Sequence, residues 1–237
     1  MEKKDTKIPL PKMNLDDLFS TQEERDSAKL EKVVEVKLTD ITDFPNHPFK
    51  VKDDDEMDKM RQSVEQYGVV HPILVRPTKD GKYEMISGHR RKRASELANK
   101  DTIPCIVRNL SDDEATIIMV DSNMQREEIL PSEKAFAYKM KLEALGHQGK
   151  SRELTSGQVV RKLETADIIG KENDESGRQV RRYIRLTELI PELLEMVDDK
   201  KIAFNPAVEI SYLDEDNQYA LLDCIEYSDA TPSHAQA

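Results

Sequence analysis

The sequence predicts an α+β protein: a small mixed-sheet domain in the first half of the chain, followed by an all-α domain. Three observations carry this. Alternating apolar text and an Asp-Gly turn signal occur only before Leu110. Beyond Leu110, capping residues and helical spacing of apolar residues run almost without a break. A charged fraction of 35% against 37% hydrophobic residues, over 237 residues, favours small cores under much solvated surface.

Residues 1–32 mix charges without sustained apolar periodicity and read as a flexible arm. The run Val33-Val34-Glu35-Val36-Lys37-Leu38 alternates as a strand does, and Phe44-Pro45-Asn46-His47-Pro48-Phe49 reads as a loop. Met57, Met60 and Val64 at helical spacing predict a helix over 54–66, stopped by Gly68. Strands over 69–76 and 82–87 flank Asp80-Gly81, a strong hairpin signal. A basic helix over 89–98 and a strand over 103–108 complete a modest mixed sheet.

Ser111-Asp112-Asp113-Glu114 is a capping box, and Pro131-Ser132-Glu133 opens a further helix. Helices are expected near 111–123, 132–145, 156–163, 165–172, 177–189, 191–198, 205–212 and 216–227. Thr231-Pro232 resembles the start of another helix, so 231–237 read as the beginning of a truncated segment. The domain boundaries expected are 33–125 for the sheet domain and 126–230 for the helical one.

Composition narrows the function. No apolar run approaches the length of about 20 residues needed to cross a bilayer, and Met1-Glu2-Lys3-Lys4-Asp5 lacks the apolar core of a secretion signal, so a cytoplasmic protein without membrane contact is expected. Cys105 and Cys224 have no metal or redox spacing, and Cys105 lies in an apolar strand as a small buried side chain. A net charge of −11 argues against coating nucleic acid by bulk charge, so any DNA contact must be local.

Two motifs carry chemistry. In Ser87-Gly88-His89-Arg90-Arg91, a strand ends on glycine and turns into a helix whose first turn is basic. Glycine permits close backbone approach, helix N-terminal amides attract anions, and guanidiniums grip phosphate oxygens in pairs. That combination predicts a phosphate seat. The second motif, Asp121-Ser122-Asn123-Met124-Gln125-Arg126, closes one helix just before Pro131 starts the next, and taken alone is also an ordinary polar helix end.

In order and spacing these pieces resemble the N-terminal domain of the ParB partition family over about Val33 to Leu213. Gly88-His89-Arg90-Arg91 matches a box usually written Gly-Glu-Arg-Arg, and Ser122-Asn123-Met124-Gln125-Arg126 matches Glu-Asn-x-x-Arg. The resemblance implies a ParB/sulfiredoxin-like sheet domain that binds CTP with Mg2+ and closes paired subunits into a clamp on DNA. Gly88, His89, Arg90 and Arg91 would hold the triphosphate, and Ser122, Asn123 and Arg126 would line the pocket, with Pro48 and Lys50 contributing from the loop. Asn123 is the candidate metal ligand.

Two departures bear on hydrolysis. His89 and Ser122 stand where the family has glutamates, and a serine hydroxyl neither charges a metal site nor accepts a proton as a carboxylate does. Asp121 is the one carboxylate placed to substitute as a catalytic group, and binding without efficient turnover is the expectation. The same turn resembles that of sulfiredoxin, whose reactive cysteine is absent from Ser87-Gly88-His89-Arg90.

Residues 165–189 have the layout of a helix-turn-helix. At about 100° per residue, Arg178, Arg181, Arg182 and Arg185 share one arc, opposite Val180, Tyr183, Ile184 and Thr187, and no acidic residue interrupts Ser176 to Leu186. Ser176, Arg178, Gln179, Arg181 and Arg182 are candidate DNA contacts near base edges, and Arg185 a phosphate contact. Lys200 and Lys201 either meet the DNA backbone or balance Asp198 and Asp199.

The reading is a centromere-binding protein for chromosome, plasmid or mobile-element segregation, associated with nucleoid or plasmid. It would act as a homodimer on a palindromic duplex and engage a ParA-type ATPase through its N-terminal arm. The alternatives are a helix-turn-helix regulator without a nucleotide switch, and a nuclease or kinase on the ParB/sulfiredoxin scaffold.

Overall fold

The computed structural model describes residues 32–148, 157–228 and 231–232. The expected arm over 1–32 lies outside these except for Lys32, as does most of the helix start expected at 231–237.

The sheet domain contains β1 (Val33–Lys37), β2 (Ile41–Thr42), α1 (Asp55–Tyr67), β3 (Ile73–Pro77), β4 (Tyr83–Ser87), α2 (His89–Leu97) and β5 (Thr102–Val107). The strands form one sheet in the order β1-β5-β3-β4-β2. β1 pairs antiparallel with β5 and β3 antiparallel with β4, while β3–β5 and β2–β4 are parallel. The sheet is therefore mixed, as expected. Successive residues of a strand point to opposite faces. Met85 accordingly joins Val36, Ile41, Ile73, Val75, Ile103 and Cys105 in one cluster, while Ile86 packs with Phe44, Phe49, Met119 and Val120 in another.

The helices are α3 (Asp112–Met124), α4 (Pro131–Gln148), α5 (Gly157–Glu172), α6 (Gly177–Arg185), α7 (Pro191–Asp198), α8 (Phe204–Ile210) and α9 (Glu215–Ser228). Their ends follow the signals in the sequence. The Ser111 hydroxyl accepts from the Glu114 amide at 3.3 Å and the Glu114 carboxylate accepts from the Ser111 amide at 2.9 Å. The Ser111 amide and hydroxyl, both donating to it, hold the Glu114 carboxyl below its ordinary range. The side chains of Asp54 and Ser176 cap α1 and α6 by accepting from the amides of Met57 and Gln179, and Gly68 ends α1 at a φ of +73°.

Three boundaries differ from expectation. β3 begins at Ile73 rather than 69, because Pro72 interrupts the preceding text and brings no amide to a ladder. α5 is one helix where two were expected: Thr165 continues it, and Ala166 and Ile169 are fully buried. α6 stops at Arg185, where a 3-10 turn over Leu186–Glu188 drives Leu186 into the core shared by α7, α8 and α9.

Candidate functional site

Gly88 sits between β4 and α2 with φ +111° and ψ 23°, a backbone that side chains bearing Cβ rarely adopt. An added Cβ would lie 2.5 Å from Cγ2 of Ile73. The close neighbour that this glycine admits is thus the sheet core, which fixes where α2 begins.

The first turn of α2 spreads its cations in different directions. The Arg91 Nη1 donates to the carbonyls of His71 at 2.6 Å and Pro72 at 2.7 Å, and burial lowers its pKa. Lys92 reaches Asp43 at 2.8 Å and Arg93 reaches Asp53 at 2.6 Å. Arg90 meets Glu56 at 3.1 Å and Asp54 at 3.4 Å, both exposed, while its Nε is buried without a partner. Of the arginines in the first box, Arg90 is held by groups that water and ligands can replace, whereas Arg91 is spent on backbone.

His89 is buried and stacks on His47, with ring centroids 3.7 Å apart and planes inclined by 31°. Burial is the main cause that lowers His47 to about 4 and His89 to about 3; the field of Arg126 acts in the same direction on both, and Asp43 opposes it. Both rings are neutral at pH 7, and both Nε2 atoms are buried without a hydrogen-bond partner. A hollow of about 420 Å3 opens beside the pair, lined in part by Asp43, Asp53, Met85 and Lys92.

From the far side comes Arg126, just beyond α3, with its guanidinium 5.4 Å from the Phe49 ring centroid. Burial lowers its pKa first; Glu133 acts against that and Arg90 adds to it, so both arginine charges are felt at one place. Asn123 is buried and donates from Nδ2 to the Met119 carbonyl at 2.8 Å, which leaves its amide oxygen for a ligand or metal ion. The exposed Ser122 hydroxyl donates to the same carbonyl at 3.0 Å. Pro48 is half-buried in the loop beside His47. The Lys50 amide donates to Glu133 at 2.7 Å, and its ammonium lies 3.8 Å from Asp198. Asp121 pairs with the buried Lys141, which also holds Glu172 at 2.7 Å.

The structure thus gathers His47, Phe49, His89, Arg90 and Arg126, and turns Arg91 and Asp121 to other partners. His47, Phe49, Glu56 and Glu133 were not singled out in the sequence. The only local signal was the adjacency of His47 and Phe49 to Pro48, since their meeting with α2 and Arg126 depends on the sheet order.

The second region is α5 and α6, joined by residues 173–176. The helices meet so closely that a Cβ on Gly177 would fall 1.7 Å from Oδ1 of Asp167. Glu175 in the connection pairs with Lys134 and accepts from the Tyr138 hydroxyl at 3.2 Å, which fastens the turn to α4. Val180 is fully buried, and Tyr183 lies between Tyr138 at 5.9 Å and Phe204 at 4.7 Å. On the outer side Arg178 is exposed, Arg181 approaches Asp167 at 3.5 Å, and Gln179 accepts from Arg182 at 3.3 Å. Ser176 spends its hydroxyl on the cap. Arg182 and Arg185 lean toward α8. Lys201 pairs with Asp199 at 3.1 Å, and Lys200 is exposed.

A mixed sheet ending on a glycine-capped basic helix, followed by a helical half built around α4, is the architecture of a ParB-type domain. Residues 22–124 match the ParB N-terminal domain. Stage 0 sporulation protein J of Bacillus subtilis (strain 168) is 38% identical over 133 residues, covering 56% of this chain and 44% of that protein. A nucleoid occlusion protein of Listeria monocytogenes serotype 4a (strain HCC23) is 33% identical over 214 residues, 89% of this chain and 67% of that one. The structure of a Pnob8-like ParB-N domain agrees with a TM-score of 0.52 at 15% identity, over 84% of this chain and 83% of that one, a likeness of fold alone. The chain belongs to the ParB family. It spans about half the length of several curated relatives that it matches.

Proposed function

We propose that this chain is a ParB-type partition protein that reads a specific duplex through α6 and carries CTP with Mg2+ on its sheet domain, the nucleotide governing closure of a homodimeric clamp on DNA. One observation carries the DNA reading. In a chain of net charge −11, the residues from Ser176 to Leu186 include four arginines and no acid, and the capped N-terminal end carries the exposed Arg178 with Gln179 and Arg181 half-buried beside it. A local field opposite to the protein's net charge is what groove entry requires.

The nucleotide reading is supported by buried polar atoms without partners at one place: Nε2 of His47, Nε2 of His89 and Nε of Arg90. Buried polar atoms without partners are rare and are satisfied by what binds beside them. Arg90 and Arg126 would hold phosphate oxygens, the two imidazoles would donate or accept according to tautomer, and the α2 amides would complete the seat. Among the described residues no three His, Cys, Asp or Glu side chains cluster as a metal site. A Mg2+ ion here would therefore be held by phosphate oxygens, with the Asn123 amide oxygen as its protein ligand. Bound together, nucleotide and ion supply a compact charge that draws these side chains in.

Binding without efficient turnover is the expected behaviour. Ser122 has no carboxylate, and Asp121 is already paired with Lys141. That pairing also argues against a metal-dependent nuclease or kinase. The regulator without a nucleotide switch remains the competing reading, and an interaction with a ParA-type ATPase belongs to the same proposal.

Nucleotide binding measured by calorimetry, with and without the specific duplex, tests it. CTP is expected to bind in preference to ATP, GTP and UTP, and Arg90→Ala to weaken it at least tenfold. Arg178→Ala is expected to cost about 1–3 kcal/mol of discrimination for the specific duplex. Equal binding of all four nucleotides, unchanged in Arg90→Ala, overturns the switch; unaltered duplex binding in Arg178→Ala overturns the assignment of α6.

A further inference from the structure

Two of the four arginines on α6 are built in, each by one oxygen and one aromatic ring at an end of α8. Arg182 donates from Nη2 to Oδ1 of Asn205 at 2.5 Å, and its guanidinium carbon lies 4.9 Å from the Phe204 ring centroid. Arg185 donates from Nη2 to the carbonyl of Ser211 at 2.5 Å, and its guanidinium carbon lies 4.2 Å from the Tyr212 ring centroid. Phe204 and Asn205 open α8, and Ser211 and Tyr212 follow its end. One short helix therefore brackets two guanidiniums one turn of α6 apart. Among the described residues Arg178 has no such holder, and Arg181 has a carboxylate, Asp167 at 3.5 Å, but no ring.

The two rings differ in what else they do. Phe204 is partly buried against the core of α7, α8 and α9 and also touches Tyr183, so it has a packing role of its own. Tyr212 is 66% exposed, and among the described residues the one aromatic or cationic contact of its ring is Arg185. An exposed large aromatic ring gains little from burial, so its place over Arg185 is the feature to explain. A ring face beside a guanidinium fixes the plane of the fork; the Nε of Arg185 is buried without a partner, so its Nη groups are the ones left to donate.

The geometry points to Tyr212, with Phe204 and Asn205, as positioning residues for DNA recognition: they hold Arg185 and Arg182 in place for phosphate oxygens, so that α6 can be registered for base reading by Arg178, Gln179 and Arg181. This rests on the assignment of α6 as the DNA-reading helix. Phosphate contacts set orientation while base contacts set sequence, and arginines already ordered lose less freedom on binding. The bracket thus divides the labour of one helix between fixed and free arginines.

The test uses the full chain, and as probe the duplex that the wild-type protein selects from a randomised pool, beside a scrambled duplex of the same length. Tyr212→Leu keeps every cation and removes the ring face. It is expected to weaken the selected duplex about 3- to 5-fold, to leave the scrambled duplex unchanged, and to preserve the slope of log affinity against log salt. Tyr212→Phe is expected to restore wild-type affinity. Arg185→Ala removes a charge and is expected to weaken both duplexes and reduce that slope by about one. Tyr212→Leu indistinguishable from wild type, or equally weak on both duplexes, overturns the inference while α6 remains the reader. If the wild-type protein selects no duplex, the α6 assignment fails and the inference with it. A melting temperature equal to wild type excludes unfolding as the cause, and unfolding of so exposed a site would itself contradict the positioning role.

Discussion

Lys141 tests how an ion pair behaves when only one member is buried. Its side chain is 4% exposed, whereas those of Asp121 and Glu172 are 49% and 51% exposed. Burial works to lower the Lys141 ammonium, and hydrogen bonds and charge from the two carboxylates outweigh it, leaving the pKa raised. The cost of desolvation thus rests on the lysine. Lys141→Met removes that cost together with the attraction, and frees two carboxylates that can turn to water. Exchange of a buried ionic group for an apolar side chain of similar length is often neutral, so a loss within about 1 kcal/mol is expected. Asp121→Asn with Glu172→Gln strands the ammonium and is expected to cost about 3–5 kcal/mol at pH 7. Urea denaturation of both variants at pH 7 and near pH 9.5 makes the comparison. In the double variant the folded pKa of Lys141 falls below the unfolded value of about 10.4, the unfolded state binds more protons, and stability rises with pH. In the wild type the folded pKa is raised, so its contribution is complete below the unfolded value and is lost as pH climbs through the folded one. A Lys141→Met variant as unstable as the double variant would refute the reasoning.

Gly88→Ala combines a left-handed backbone with a Cβ 2.5 Å from Ile73, and is expected to cost about 2–5 kcal/mol in thermal or urea unfolding; an unchanged midpoint would mean that the turn can relax. The stacked imidazoles are depressed below 6.5 in the folded chain, so the stability they permit is present above that value and is lost as pH falls from about 6.5 toward about 4 and about 3. Unfolding followed over pH 3–8 should show this slope, and His47→Gln with His89→Gln should flatten it.

Most of the fold was legible because its signals are local. The Asp80-Gly81 hairpin, the Ser111 capping box, Pro131 and the alternation of Val33 to Leu38 each act within a few residues, and each sits where it was expected. What was not legible was long-range. The two-residue β2 carries too little text to register, and its parallel pairing with β4 depends on the whole sheet. Thr165 looked like a break between helices because nothing local shows that Ala166 and Ile169 bury the same face of one helix. For the candidate site, the two boxes named the right neighbourhood, but not which way each side chain turns. Arg90 and Arg91 are adjacent and chemically identical, yet Arg91 is consumed by the carbonyls of His71 and Pro72, partners set by where β3 begins. Arg182 and Arg185 read as open cations on a helical wheel, since the wheel holds no record of α8.

The placement of α4 explains how two chemically separate regions share one frame. Glu133 takes the amide of Lys50 in the loop beside the histidine pair. One residue on, Lys134 takes Glu175 in the connection to α6, and Tyr138 donates to the same carboxylate. Two turns later Lys141 ties Asp121 of the second box to Glu172 at the end of α5. Ser132 meanwhile donates from both its amide and its hydroxyl to Asp198 of α7, the acid that also faces Lys50. The Lys50 and Asp121 ties join the sheet domain and its second box to the helical half, and the others fasten α4 to the elements around α6 and to α7. Close-packed interiors transmit strain rather than absorb it. A shift of the Lys50 loop or of the second box would therefore load α4, and through Glu172, Glu175 and Asp198 it would bear on α5, on the connection into α6 and on α7.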